Sequence, residues 1–296
     1  MSALNRFVPQ SKAASAKLIE ELQSFLDKAS SLVVMTGAGI STESGIPDYR
    51  SSKTGQYARS KEHQPIQHLD FMTNEFWRRR YWARNFLAHN RFSSAQFNAN
   101  HEILAEWEQS KRFNWLITQN VDGLHTSAGS KKVTELHGCA KKVVCMTCKQ
   151  TYLRADFQEI LLDLNPDWRL KQEQVGELAP DADSDAVVGI NELANFKLPY
   201  CLSCGDRSIL KTDVVFFGDN VPRTVVDECY EKIDSADALL VLGSSLTVMS
   251  GYRFVYYAES KMPVAILSIG PTRADHLATL KLDTKSSDVL KQLKFT

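Results

Sequence analysis

Four short apolar runs along the chain break off abruptly at small or polar residues. Ser31–Thr36 stops at Gly37-Ala38-Gly39, Trp115–Thr118 at Gln119–Asp122, Ala238–Leu242 at Gly243-Ser244-Ser245, and Val264–Leu267 at Ser268-Ile269-Gly270. Short apolar runs bounded by turn formers read as buried strands. Between them lie stretches with helical spacing. Ala14–Lys28 sets Leu18, Leu22, Phe25 and Leu26 on one face, and Asn100–Gln109 and Pro222–Lys232 are the other two. Strands alternating with helices predict an α/β fold: a Rossmann-like parallel sheet with helices on both faces. Ligands bind such sheets at the carboxyl ends of the strands. The four polar terminations are therefore expected to line one crevice.

Two stretches interrupt this alternation. Lys53–Phe97 is rich in aromatic residues and arginine and reads as helical. Cys139–Lys211 carries two Cys-x-x-Cys pairs and an acidic loop around Asp181, Asp183 and Asp185. The expected division is a nucleotide-binding domain made of 1–52, 98–138 and 212–296. A helical insertion, 53–97, and a metal-binding module, 139–211, then form a smaller unit over the sheet.

Charge narrows the choice of partners. Lys+Arg and Asp+Glu both number 35, so the formal net charge is zero. A balanced chain offers no global field for nucleic acid or an anionic membrane, and no apolar run approaches the roughly 18 residues of a membrane span. The expectation is no nucleic acid, no membrane, and a monomer.

Four of the six cysteines fall in the pairs Cys145/Cys148 and Cys201/Cys204, separated by 52 residues. Two-residue spacers let both sulfurs of a pair reach one ion. Four thiolates fill a tetrahedral Zn²⁺ and leave no open position, so the site reads as structural.

The Gly37-Ala38-Gly39 turn suits a phosphate, because backbone N–H groups can approach it closely. It departs from the dehydrogenase fingerprint: Thr42 holds the third glycine position, and no acidic residue stands about twenty residues on. Gly45–Arg50 follows, with Asp48 and Arg50 beside the loop and Pro47 stiffening the turn. His137 is set apart from the other six histidines by its place just before the cysteine module and soon after Gln119–Asp122. An imidazole titrates near neutrality and suits a general base. Asn120 and Asp122 add an amide and a carboxylate able to hold a carboxamide ligand and a developing positive charge.

These segments resemble, in order, those of the sirtuins: Gly37–Ser41, Gly45–Arg50, Thr118–Asp122, Leu136-His137-Gly138, the two cysteine pairs and Gly243–Leu246. The resemblance runs from about Phe7 to Leu293. Val214–Asp219, Ile269–Asp275 and Tyr49 in place of the family's usual phenylalanine resemble the class II, mitochondrial sirtuin-4 type. The resemblance implies that Gly37 to Tyr57 wraps NAD, with Ala38 and Gly39 at the pyrophosphate and Ser41, Asp48, Tyr49 and Arg50 nearby. It places Gln119, Asn120, Val121 and Asp122 around the nicotinamide and its ribose. Gly243, Ser244 and Ser245 then face the adenosine, with Ser268, Ile269 and Gly270 close by and Ser286 at the adenine edge. Ser268 departs from the family's frequent asparagine, and a hydroxyl keeps one hydrogen bond but not both roles of an amide. His137 is implied as the base, with Asn120 and Asp122 as its catalytic partners. Tyr81 and Arg84, three residues apart on one helix face, resemble a pair that grips acidic acyl chains.

The function implied is NAD-dependent removal of acyl groups from protein lysine, favouring acidic or longer chains over acetyl. The products are nicotinamide and O-acyl-ADP-ribose. ADP-ribosyl transfer to protein uses the same activated ribose and remains an alternative, as does lipoamidase activity. A dehydrogenase and a non-catalytic NAD- and zinc-binding protein are the readings from other classes, separated by NADH formation and by nicotinamide release. The resemblance also implies the mitochondrial matrix. Arg6, Lys12 and Lys17, with no acidic residue before Glu20, have the charge bias of a presequence.

Overall fold

The computed structural model describes residues 6–59, 65–175 and 193–294. The acidic loop around Asp181, Asp183 and Asp185 lies outside the described residues.

Six strands form one parallel sheet in the order β3-β2-β1-β7-β8-β9. They are β1 Leu32–Thr36, β2 Trp115–Thr118, β3 Val133–Glu135, β7 Ala238–Leu242, β8 Val264–Leu267 and β9 Leu280–Leu282. At the centre, Val34 of β1 pairs with Leu116 of β2 and with Leu240 of β7. Side chains alternate between the two faces of a strand, and both faces here are dry. Leu32, Val34, Leu116, Leu240 and Leu242 pack under the helices Ala16–Lys28 and Ala99–Gln109. Val33, Met35, Ile117, Leu239 and Val241 pack under Arg223–Asp234 and Met249–Glu259. This double burial explains why the central strands read as continuous apolar runs.

The edge strands β3 and β9 escape that pattern. Each has three residues, and their sequences Val133-Thr134-Glu135 and Leu280-Lys281-Leu282 carry too little apolar periodicity to stand out.

The chain leaves β1 toward β2 on one side and β7 lies on the other. The strand order therefore reverses at β1, and the loops after β1 and β7 part to open a crevice at the carboxyl ends.

A second sheet has three antiparallel strands in the order β5-β4-β6: β4 Gly138–Cys145, β5 Thr151–Leu153 and β6 Leu210–Val214. It shares a core with the helices Glu75–Ser93 and Arg154–Leu164. Trp82, Phe86, Val143, Phe157, Leu161, Phe196 and Leu210 meet there. The arginine- and aromatic-rich segment thus packs against the cysteine-bearing one. From Tyr81 to Ala88 every residue of its long helix is buried.

Candidate active site

A cleft of about 1500 Å³ opens at the carboxyl ends of the parallel strands. Ordinary small-ligand pockets hold roughly 300–1,000 Å³, so this one has room for a dinucleotide and a second substrate. Residues after β1 (Gly37, Ala38, Gly39, Ser41), β2 (Gln119, Asn120, Val121, Asp122), β7 (Gly243, Ser244, Ser245) and β8 (Ser268, Ile269, Gly270) all line it. His137, Asp48, Tyr49, Arg50 and Ser286 line it as well. Tyr57 does not. It stands behind Arg50, whose guanidinium carbon lies 5.5 Å from the Tyr57 ring and 6.0 Å from that of Tyr49.

The β1 and β7 loops meet backbone to backbone. Gly39 N–H donates to the Gly243 carbonyl at 2.8 Å. A Cβ on Gly39 would sit 2.7 Å from that oxygen, and Gly243 itself adopts φ +59°. Glycine is required at both places by contact and conformation. The chain then continues as the 3-10 turn Ala38–Ser44, closed by Gly45 in the left-handed region. Thr42 helps to fix this tighter path, its hydroxyl donating to the Gly39 carbonyl at 2.9 Å. Asp48 is not spent on Arg50's charge. Its carboxylate accepts from the backbone of Arg50 (2.9 Å) and Ser51 (2.8 Å) and from the Ser51 hydroxyl (2.5 Å), which locks the turn.

The loop after β2 is held from beneath by a buried polar network. Ser41 Oγ donates to Asp122 Oδ2 at 2.7 Å and accepts from Asn120 Nδ2 at 3.1 Å. Asp122 Oδ1 accepts from Leu124 N–H at 2.9 Å. Gln119 Nε2 donates to Ser244 Oγ at 2.8 Å, tying the β2 loop to the β7 loop. Two histidines that the sequence did not single out complete the network. His101 Nε2 lies 3.5 Å from Ser41 Oγ, and His125 Nε2 lies 3.0 Å from Thr36 Oγ1, which donates to Thr118 Oγ1 at 2.9 Å. Burial pushes both imidazoles below their ordinary range, His125 well below it. They stay neutral at pH 7 and serve as hydrogen-bonding groups rather than charges.

His137 follows the edge strand β3 and reaches into the cleft. Its Nδ1 lies 2.8 Å from the Gln119 carbonyl and its Nε2 lies 2.8 Å from Ser250 Oγ. A carbonyl can only accept, so Nδ1 carries the proton and Nε2 presents its lone pair. Ser250 O–H donates to that lone pair. Burial lowers the His137 pKa, the Gln119 hydrogen bond raises it, and the Arg253 charge lowers it, with a net shift downward. Ser250 and Arg253 were also missed in the sequence. They fall on the helix Met249–Glu259, and nothing in the apolar pattern distinguishes them from other polar residues of a surface helix.

Tyr81 and Arg84 are buried and do not line the cleft. The Tyr81 hydroxyl pairs closely with Thr212 Oγ1. Its ring packs against Phe71, Trp82 and Phe216. Of these rings only Phe216 reaches the cleft.

The four cysteines converge as their spacing predicts. Their sulfurs lie within 4.8 Å of one another, with Cys145 to Cys204 at 4.0 Å and Cys148 to Cys201 at 3.6 Å. A tetrahedron with Zn–S of about 2.3 Å has an edge of about 3.8 Å, so the four thiols fit one zinc ion. Tyr152 O–H and the backbone N–H of Cys148 lie 3.1 and 3.5 Å from the Cys201 and Cys145 sulfurs. The site closes the end of the three-stranded sheet, and none of its cysteines lines the cleft.

The Sir2 family model matches residues 37–250, and the chain belongs to the Sir2 family. It is 50% identical to the NAD-dependent protein deacylase sir-2.2 of Caenorhabditis elegans over 97% of this chain and 99% of that one. It is 48% identical to the NAD-dependent protein lipoamidase sirtuin-4, mitochondrial, of Homo sapiens over 98% of this chain and 90% of that one. Among solved structures, a Sir2 protein with a p53 peptide and NAD+ superposes with a TM-score of 0.66 at 26% identity, covering 93% of this chain and 96% of that one.

Proposed function

We propose that this chain is an NAD-dependent protein-lysine deacylase with a structural zinc. The observation that carries the reading is His137: a neutral imidazole, its tautomer fixed by Gln119, with Nε2 turned into a cleft floored by Gly37–Gly39, Asn120 and Asp122. Gly37, Ala38, Gly39, Ser41, Asp48, Tyr49 and Arg50 are assigned to the dinucleotide's phosphate side. Gln119, Asn120, Val121 and Asp122 are assigned to the nicotinamide and its ribose, and Gly243, Ser244, Ser245, Ser268, Ile269, Gly270 and Ser286 to the adenosine. Tyr57 supports this set through Arg50.

Bound NAD supplies a ribose carbon that becomes electrophilic as nicotinamide leaves. Asn120 and Asp122 hold the leaving end, their side chains kept in place by Ser41 and by the backbone of Leu124. The acyl oxygen of a modified lysine attacks the ribose carbon. His137 Nε2 takes the proton of a ribose hydroxyl, which then attacks the acyl carbon. Ser250 O–H donates to that same nitrogen, so the ribose hydroxyl reaches it by taking the place of Ser250. The lysine nitrogen then takes up a proton and the acyl C–N bond breaks, and one water adds to the acyl carbon, so that NAD, acyl-lysine and water give nicotinamide, free lysine and O-acyl-ADP-ribose. Four convergent cysteines support zinc as a fold element, since the metal site and the cleft share no residue.

Acidic or longer acyl groups are the proposed preference over acetyl. Tyr81 and Arg84 are buried and do not line the cleft, so this preference is not assigned to them; Phe216, whose ring packs against Tyr81, does line it. The mitochondrial matrix is the proposed compartment, supported by the mitochondrial sirtuin-4 relatives of cattle and human. Incubation of the protein with NAD and a panel of acyl-lysine peptides, read by product mass, tests the reading. O-acyl-ADP-ribose supports it, and transfer of ADP-ribose to protein without loss of the acyl group contradicts it.

A further inference from the structure

Ser250 and Arg253 are three residues apart on the helix Met249–Glu259, so they share a face. That face is pressed against the catalytic loop. Gly251 lies so near Gln119 that a Cβ there would meet Gln119 Oε1 at 2.6 Å. The close approach brings Ser250 Oγ to 2.8 Å from His137 Nε2. Arg253 lines the same cleft one turn further on.

Arg253 is a cation without a counterion. Among the described residues it has no ion pair and no hydrogen bond, and its Nε is buried with no acceptor. The Phe254 ring lies 5.8 Å from its guanidinium carbon, and His137 and Cys229 are within electrostatic reach. Of the other cations of the cleft, Lys285 pairs with Glu43 at 3.0 Å and Arg50 lies over Tyr57, while Lys12 and Lys53, like Arg253, have no ion pair among the described residues. A buried guanidinium nitrogen with nothing to bond is costly unless a ligand supplies the acceptor. A planar carboxylate is the matching partner, because it takes two parallel N–H bonds from the arginine fork.

We infer that Arg253 is the carboxylate receptor of the acyl-peptide site, the residue that gives acidic substrates their advantage beside His137. This rests on the deacylase reading and deepens it. The carboxylate has two possible sources, the far end of a dicarboxylic acyl chain or an acidic residue flanking the modified lysine. Arg84 is the contrasting residue, being buried away from the cleft.

Matched peptides separate these cases. One pair carries glutaryl-lysine or the neutral pentanoyl-lysine. A second pair carries acetyl-lysine with Glu or Gln as its neighbour. Arg253→Gln is expected to lower kcat/KM for the carboxylate-bearing member by about tenfold to a hundredfold relative to its neutral match, with the KM for NAD unchanged. Arg253→Lys should recover part of the preference and controls for folding, and Arg84→Met should leave the ratio as it was. Loss confined to glutaryl-lysine places the carboxylate on the acyl chain. Loss confined to the Glu peptide places it on the flank. An equal fall for every peptide, or an unchanged ratio, overturns the inference. If the wild-type protein releases nicotinamide with none of these peptides, the deacylase reading fails separately. Calorimetric binding of the same pairs with NAD present then decides on Arg253: affinity that depends on the carboxylate and is lost in Arg253→Gln supports it, and equal affinity overturns it.

Discussion

His137 Nδ1 donates a hydrogen bond to the backbone carbonyl of Gln119 at 2.8 Å. The partner is main chain, so no side-chain change can remove it, and it leaves Nε2 as the one basic atom of the ring. The same loop carries Asn120 and Asp122. One short contact therefore registers the base against the residues assigned to the leaving nicotinamide. His137→Ala is expected to reduce deacylation by about 10²–10⁴-fold while NAD still binds. Turnover near the wild-type rate would remove His137 from the mechanism.

The acid limb of activity should reflect the same ring. A general base works in its deprotonated form. Burial and Arg253 together hold the His137 pKa below its ordinary 6.5. The acid limb of kcat/KM should therefore have its midpoint below pH 6.5. Arg253→Gln removes one lowering cause, so its acid limb should move upward. A wild-type limb centred at or above 6.5 would contradict this account of the site.

Zinc is expected at about one ion per chain, held by Cys145, Cys148, Cys201 and Cys204. Thiolate ligands couple binding to folding, and β4 carries Cys145 at its end in a shared core with Trp82 and Phe157. Cys145→Ala should lower the melting temperature as well as the zinc content. Elemental analysis that finds no zinc in folded, active protein would remove the metal from the fold.

The contact between the first and third polar terminations can be tested by one methyl group. Gly39→Ala places a Cβ 2.7 Å from the Gly243 carbonyl. Overpacking of this kind costs about 1–3 kcal/mol. Chemical denaturation should show that loss together with a raised KM for NAD. A variant with unchanged stability and NAD affinity would show that the two loops can part freely.

The central sheet was legible because both of its faces are buried. Leu32–Thr36 and Ala238–Leu242 have no polar side to interrupt the run. The edge strands β3 and β9, each of three residues, carry no such signal and emerge only from pairing with β2 and β8. The cysteine spacing announced the metal site, because two-residue spacers leave few other arrangements. The motifs at strand ends led to Gly37, Asn120 and His137. Position along the chain could not lead to Ser250, His101 or His125, whose roles arise from contacts with residues 60 to 113 positions away. Tyr81 and Arg84 share a helix face as their spacing requires. Which side of Phe216 that face meets is decided by the packing of the helix against β6, which three-residue spacing does not encode.

The most direct measurement follows the acyl group itself. The protein is incubated with NAD and an acyl-lysine peptide whose acyl carbon is isotopically labelled, and the products are read by mass spectrometry. The account predicts that the label leaves lysine and appears on ADP-ribose, in equal amount to the nicotinamide released, and that His137→Ala abolishes the transfer. NADH formation, or nicotinamide release with the label still on lysine, would contradict it.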